Sequence, residues 1–351
     1  MPVAGRPSPV ARRIRCRIAE RLNTACAFSC SPPLGAARVG EGSTGRWVAS
    51  GMIPSARKPN EPVEVVSMRA LDPEVVDVVW ETIEPMIPLL AETHPLGCHR
   101  RRISDRLCFW GILVRLVTGA SWVSVEAILE RRVSDTTLRS RRDEWITAGV
   151  FDELRDHALD AYDRIIGLDL SEVAIDGSLH KAPCGGEGTG KNPTDRAKLG
   201  WKWSVAADAN GIPLGWAIDG ANRNDVELLE PTLADVARVG LLGEIETLHL
   251  DRGYDYPKTR ARLAGLGLDD LNIQRRKPRG TLRRKSPVRL GLRWVVEGTN
   301  SWLSNYGQLR RNTDRRTQHR HAQLCLASAL LITAKLIDWR DRWSPESRPI
   351  R

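Results

Sequence analysis

The chain has 351 residues, 41% hydrophobic and 27% charged, enough for two domains and a sizeable core. Its formal net charge of +10 favours a polyanionic partner, although residues 1–67 alone hold ten Lys/Arg against four Asp/Glu. Seven cysteines with no Cys-x-x-Cys pair argue against a zinc framework and fit reduced thiols in a cytosolic protein, and the sequence reads as free of both an export signal and a membrane span.

Residues 1–67, rich in Pro, Gly, Ala, Ser and Arg with no sustained period, read as a disordered extension, with Met52 and Met68 as alternative starts. Residues 68–165 read as a helical, DNA-binding domain. Asp72-Pro73 caps a helix through Val75, Val79 and Trp80, and Ser104-Asp105 opens another that ends at Gly119. A short helix over Val123–Leu129 breaks at Arg131-Arg132, and Ser134 caps the next, which carries Arg139, Arg141 and Arg142. Helix, turn and basic helix is the arrangement of a helix-turn-helix DNA reader, and equally that of a surface helix with a solvated charged face.

From residue 170 to 340 the pattern becomes α/β. Ser171–Ile175 is a short strand. Two apolar runs joined by Asp208-Ala209-Asn210-Gly211 form a hairpin, because Asn-Gly supplies the required turn. Asn224 caps a helix, Ile245–Leu250 is a strand, Pro257 starts a helix, and Leu271–Ile273 is a further strand. Trp294–Leu303 and His321–Trp339 are helical, and 341–351 form a tail. This order predicts a mixed sheet flanked by helices, of the ribonuclease-H-like kind.

Three acids fall at telling places. Asp176 follows Val173-Ala174-Ile175, Asp251 follows Leu248-His249-Leu250, and Glu297 lies on the later helix. Acids at strand ends project into the crevice at the carboxyl edge of an open sheet. Two such aspartates and a glutamate suit hard cations of the Mg²⁺ type, which pair to stabilise attacking and leaving oxygens in phosphoryl transfer. Any one of them alone reads as a turn residue or a solvated helix acid; all three in order favour function.

Other features keep two readings. Gln274–Arg289 contains Arg275, Arg276, Lys277, Arg279, Arg283, Arg284, Lys285 and Arg289 with no acid, which suits a loop along a phosphate backbone or a solvated loop. Arg310, Arg311, Arg315 and Arg316 extend the positive surface. The Gly-rich stretch Lys181–Gly190 reads as a mobile loop over the site or a linker. Trp201, Trp203, Trp216 and Trp294 read as core, while Trp302 either stacks a base or is buried.

The segments Val-Ala-Ile-Asp176-Gly-Ser, Gly220-Ala-Asn-Arg-Asn-Asp225, Leu-Asp251-Arg-Gly-Tyr-Asp and Arg293-Trp-Val-Val-Glu297-Gly-Thr-Asn-Ser-Trp302 resemble the DDE transposases of bacterial insertion sequences, in the grouping of families four and five. The resemblance covers roughly residues 70–340. It implies a ribonuclease-H-like fold, catalysis and metal binding by Asp176, Asp251 and Glu297, and two Mg²⁺ ions for which Mn²⁺ can substitute. It also implies double-stranded DNA as partner, both the element's terminal inverted repeats and the target, with strand cleavage and transfer by a homodimer or higher oligomer. A cytoplasmic, nucleoid-associated protein follows, and no membrane partner. Arg293 matches the family pattern and is placed to support Glu297 or a phosphate. The usual Tyr and Lys are replaced by Leu290 and Ser304, which leaves Arg310 and Arg311 as substitute grips on DNA. The alternatives are a ribonuclease-H-like nuclease without strand transfer, or an inactive DNA-binding derivative.

Overall fold

The computed structural model describes residues 69–89, 102–273 and 293–343, with the side chain of Arg293 left out. The extension of residues 1–67, the basic loop of 274–289 and the end of the tail lie outside the described residues.

Five helices come first: α1 (Pro73–Ile83), α2 (Asp105–Thr118), α3 (Trp122–Ile128), α4 (Asp135–Thr147) and α5 (Val150–Ile165). Their caps are those the sequence announces. Asp72 Oδ1 accepts from Glu74 N at 3.0 Å, and Ser134 Oγ accepts from Thr137 N at 3.2 Å. Gly119 ends α2 at φ 76°, the left-handed conformation that lacks a Cβ penalty only in glycine.

The sheet follows: β1 (Glu172–Lys181), the two-residue β2 (Gly190–Lys191), β3 (Leu199–Ala207), β4 (Pro213–Gly220), then α6 (Asp225–Arg238), β5 (Thr247–Leu250), α7 (Pro257–Gly265) and β6 (Leu271–Ile273). β4 and β2 pair one edge of β3; the order then runs β3-β1-β5-β6. β1, β3 and β4 are antiparallel, while β1, β5 and β6 are parallel. An antiparallel meander extended by parallel strands reached through helices is the ribonuclease-H-like arrangement. Three helices close the chain: α8 (Arg293–Ser304), α9 (Gly307–Arg310) and α10 (Thr317–Trp343).

One sequence expectation is corrected. β1 does not stop before Asp176, because Gly177–Lys181 continue to pair with β3 up to Lys181↔Gly200. Asp176 is therefore inside a strand, at the point where the parallel partner ends. α10 is long and apolar enough to cross a membrane, yet 83% of its apolar window is buried within the molecule. It is packed by α1 and α5 and reaches β4.

One hydrophobic cluster runs from Val75 and Phe109 through Leu330 to Trp201 and Leu250, so the core crosses the expected boundary near residue 165 without a break. Polar anchors reinforce it. Asp314 is buried and takes Arg115 Nη2 at 3.1 Å and Arg142 Nη1 at 2.9 Å. Burial pushes its carboxyl up, but the two guanidiniums together hold it below the usual range. Arg155, fully buried, meets Asp235 at 2.7 Å and stacks over Trp216 with its guanidinium 4.7 Å from the ring.

Removing one partner of a buried ion pair strands the other. Asp314→Ala should therefore cost about 3–5 kcal/mol of stability by urea unfolding. Arg139→Ala, at an exposed pair with Asp135, should cost under about 1 kcal/mol.

Candidate active site

The register of β1 with β5 sets the first two acids. Glu172↔Thr247 through Ile175↔Leu250 keeps one constant offset, and the next residues on the two strands are Asp176 and Asp251. Adjacent parallel strands lie about 4.8 Å apart, so these acids emerge side by side. Both are half-buried. Asp251 leaves the strand into a single turn over Arg252–Tyr254 and accepts from Arg252 N at 2.6 Å.

Glu297 arrives on α8. Val296 is fully buried in a small cluster with Ala174 and Ala207. Asn300 Oδ1 accepts from Trp203 Nε1 at 2.7 Å, and Thr299 Oγ1 donates to the Gly211 carbonyl at 2.9 Å. Ala174 is two residues before Asp176, and Trp203 pairs with Ser178, two residues after it. Residues two apart share a face of a strand. The two contacts therefore lay α8 across the face that carries the Asp176 side chain, and Glu297, exposed, sits between the anchoring residues.

Behind the strand lies a group to which the sequence gave no role. A Cβ at Gly177 would stand 2.5 Å from Asp225 Oδ1, so glycine is needed there for close approach. Asp225 is held by Lys202 Nζ at 2.7 Å, and the same ammonium donates to the Arg223 carbonyl at 2.8 Å. The Tyr254 hydroxyl is buried; burial, with the charges of Asp225, Asp176 and Asp251, raises its pKa. The Gly220–Asp225 and Leu250–Asp255 motifs carried the only signals for Asp225 and Tyr254, and none pointed to Lys202.

The histidines near the acids are buried. His180 stacks on Trp203 with centroids 3.6 Å apart, and burial lowers its pKa to about 3. Burial likewise lowers His249. Away from the acids, Asp152, His321 and Cys325 bring their ligand atoms within 4.8 Å of one another. Trp216 Nε1, a donor only, meets His321 Nδ1 at 3.2 Å. Nε2 then faces Asp152 at 2.7 Å, so the three side chains form a hydrogen-bonded clamp.

The expected DNA contacts divide. Arg141 and Arg142 are buried and turned inward. Arg141 pairs with Asp105 and Arg142 with Asp314, so neither reaches a groove. Arg139 is exposed and pairs with Asp135. Trp302 is half-buried and packs on the core beneath Lys335, whose Nζ is 4.3 Å from the ring. Trp294, expected in the core, is 45% exposed. Arg310 and Arg311 are exposed. Ser304 bonds back to the Asn300 carbonyl at 2.6 Å. Arg275, Arg276, Lys277, Arg279, Arg283, Arg284, Lys285 and the Arg293 side chain lie outside the described residues.

Residues 167–333 match the family described as "Transposase DDE domain", and residues 75–155 match "Putative transposase of IS4/5 family". The chain is 37% identical over 148 residues to the "Putative transposase for insertion sequence element IS402" of Burkholderia cepacia, covering 41% of this chain and 67% of that one. It is 31% identical over 121 residues to an IS402 16.2 kDa protein of the same organism, covering 34% of this chain and 82% of that one. Among solved structures, a pre-cleavage Mos1 transpososome aligns over 75% of this chain and 84% of that chain, at 10% identity and a TM-score of 0.22.

His180 should stay neutral down to about pH 3. A histidine depressed on folding contributes stability that is full above its unfolded pKa of 6.5 and is lost as pH falls toward the folded value. His180→Phe should flatten the decline of melting temperature between about pH 6.5 and 3. It should leave the shape of any activity profile above pH 6.5 unchanged.

Proposed function

Because this chain belongs to the DDE transposases of insertion sequences, in the IS4/5 grouping, we propose that Asp176, Asp251 and Glu297 are its catalytic acids. The observation that carries this reading is the β1–β5 register, which continues from Ile175↔Leu250 directly into the two aspartates. Docking of α8 on Ala174, Ala207 and Trp203 supports Glu297 as the third.

The family works with a divalent metal. Carboxylate oxygens from two adjacent strands and a crossing helix are the hard donors such an ion takes. Asp176 and Asp251 would hold two Mg²⁺, with Glu297 on the second, and the bound ions supply Lewis acidity to a phosphodiester and its nucleophile. The chain's own part is to fix the carboxylates. α8 cannot slide while Val296, Thr299 and Asn300 are engaged. His180 is stacked on Trp203 and buried, so the role of holding the site falls to the acids in this reading.

The substrate in this reading is double-stranded DNA. The element's terminal repeat is cut first, and the freed 3′-hydroxyl then attacks target DNA in the same site, within a homodimer or higher oligomer at the bacterial nucleoid. Arg310 and Arg311, exposed beyond α8, and the basic loop of residues 275–285 hold phosphates. Arg139 is the residue of α4 left for contact with the repeat.

Asp176→Ala, Asp251→Ala and Glu297→Ala should each abolish Mg²⁺-dependent cleavage of an element-end duplex while DNA affinity stays within about twofold, since metal ligands serve chemistry and basic residues serve binding. Wild-type cleavage by any one of them removes that residue from the site. A strand-transfer assay in parallel should yield joined products; cut products alone would make the protein a nuclease.

A further inference from the structure

The Gly-rich stretch after β1 is neither a lid nor a linker. Gly185, Gly186 and Gly188 have positive φ and let the chain press against the start of α10. A Cβ at Gly186 would stand 2.1 Å from the Arg315 carbonyl oxygen. Glu187 N donates to that same carbonyl at 2.8 Å. Arg320, fully buried, donates to the carbonyls of Gly185 at 3.1 Å, of Asp314 at 2.8 Å and of Glu187. The loop is pinned from below by a guanidinium.

What it presents outward is positive. Lys181, Lys191, Arg196 and Lys198 are exposed, and Arg311 and Arg315 are exposed beside them. The segments are stitched together: Lys191 pairs with Leu199, Gly200 with Lys181, and Lys181 bridges to Arg311, whose neighbour Asn312 donates to the Lys181 carbonyl at 2.8 Å. Six cations face three acids in these segments, and one acid, Asp314, is consumed inside by Arg115 and Arg142. Glu187 is exposed and accepts from Thr317 N at 3.2 Å, and Asp195 lies 3.9 Å from Lys198, so the balance outside stays positive.

We propose that this band at the far end of β1, built from the pinned loop of residues 181–198 and the segment 311–315, is a preorganised track for the phosphate backbone of duplex DNA flanking the cleaved bond. It rests on the assignment of Asp176 to the active site. Lys181 lies five residue steps along β1 from Asp176, about 17 Å. At 3.4 Å per base pair that is about five base pairs from the scissile phosphate. The fixed loop lowers the ordering cost of binding, and lysine and arginine without paired base-reading groups make the binding independent of sequence.

Cys184 reports on the proposal, since it is an exposed thiol inside the pinned loop. Full-length protein is mixed with element-end duplexes that carry, on one phosphate at a time and on either side of the scissile bond, a tether ending in an activated mixed disulfide, which the Cys184 thiolate attacks with loss of the activating thiol. The expected result is a disulfide cross-link peaking about five base pairs to one side and absent in Cys184→Ser. Separately, Lys181→Gln, Lys191→Gln, Arg311→Gln and Arg315→Gln are combined. The slope of log K against log salt should flatten by up to about 0.9 for each phosphate no longer neutralised, equally for element-end and random duplexes, with an unchanged melting temperature. A duplex that ends short of the band should bind the variant and wild type alike. An unchanged slope in the folded variant, or a cross-link spread evenly along the duplex, overturns the track. Cleavage by Asp176→Ala reads the acids independently, so failure of the site and failure of the track are told apart.

Discussion

The parallel register between β1 and β5 is the constraint on which the rest depends. Side chains alternate along a strand, so a slip of one residue would send one aspartate to the opposite face of the sheet. The register is held by what surrounds it. Val173, Ile175, Leu248 and Leu250 are all fully buried, so no slipped pairing keeps those side chains in the core. The acids follow at the first positions where this apolar demand ends. The same burial that fixes their position stops just short of them and leaves both half-exposed to solvent.

A second constraint joins the helices to this edge. α8 touches the sheet through one small apolar contact and two buried hydrogen bonds, from Trp203 to Asn300 and from Thr299 to Gly211. A buried polar group left unpaired costs about 1–3 kcal/mol, so these bonds penalise rotation or sliding of the helix more than apolar contact would. Gly211 in turn sits at φ 77° in the β3–β4 turn, where Asp208 Oδ1 accepts from Asn210 N and Ile212 N. The Asn-Gly turn legible in the sequence thus fixes more than a hairpin. It supplies the carbonyl on which the glutamate-bearing helix is docked.

The elements are readable because their signals are local: caps at Asp72, Ser134 and Asn224, the Asn210-Gly211 turn, and apolar runs of strand length. What the sequence hides is non-local. The continuation of β1 through Lys181 depends on pairing with a strand some twenty residues away, and no residue in Gly177–Lys181 advertises it. Trp294 reads as interior on hydrophobicity alone, yet Val295 and Val296 take the inward face of α8 and leave it outside. Lys202 is silent for the same reason: it looks solvated until the fold places its ammonium against Asp225 behind Gly177. The Gly-rich loop looks mobile because glycine permits many conformations, but here positive φ serves close approach to Arg315 and not freedom.

Arginine is the residue whose role composition conceals most. Arg115, Arg141, Arg142, Arg155 and Arg320 are all buried, and each is spent on carboxylates, carbonyls or aromatic faces within the fold. Guanidinium suits this use because it stays charged, donates in a planar fork and stacks on rings, as Arg115 does over Trp122 at 4.4 Å. Net charge therefore overstates what the helical region offers to a polyanion. Because buried cations demand buried acids, Asp235 and Asp314 are withdrawn from the surface with them. For the segment 310–316 the consequence is direct. Its one acid, Asp314, is internal, while Arg310, Arg311, Arg315 and Arg316 remain outside. The ion network that ties α2 and α4 to the start of α10 is thus also what leaves that surface uniformly basic. Packing and the electrostatics of nucleic-acid contact are set there by a single buried carboxylate.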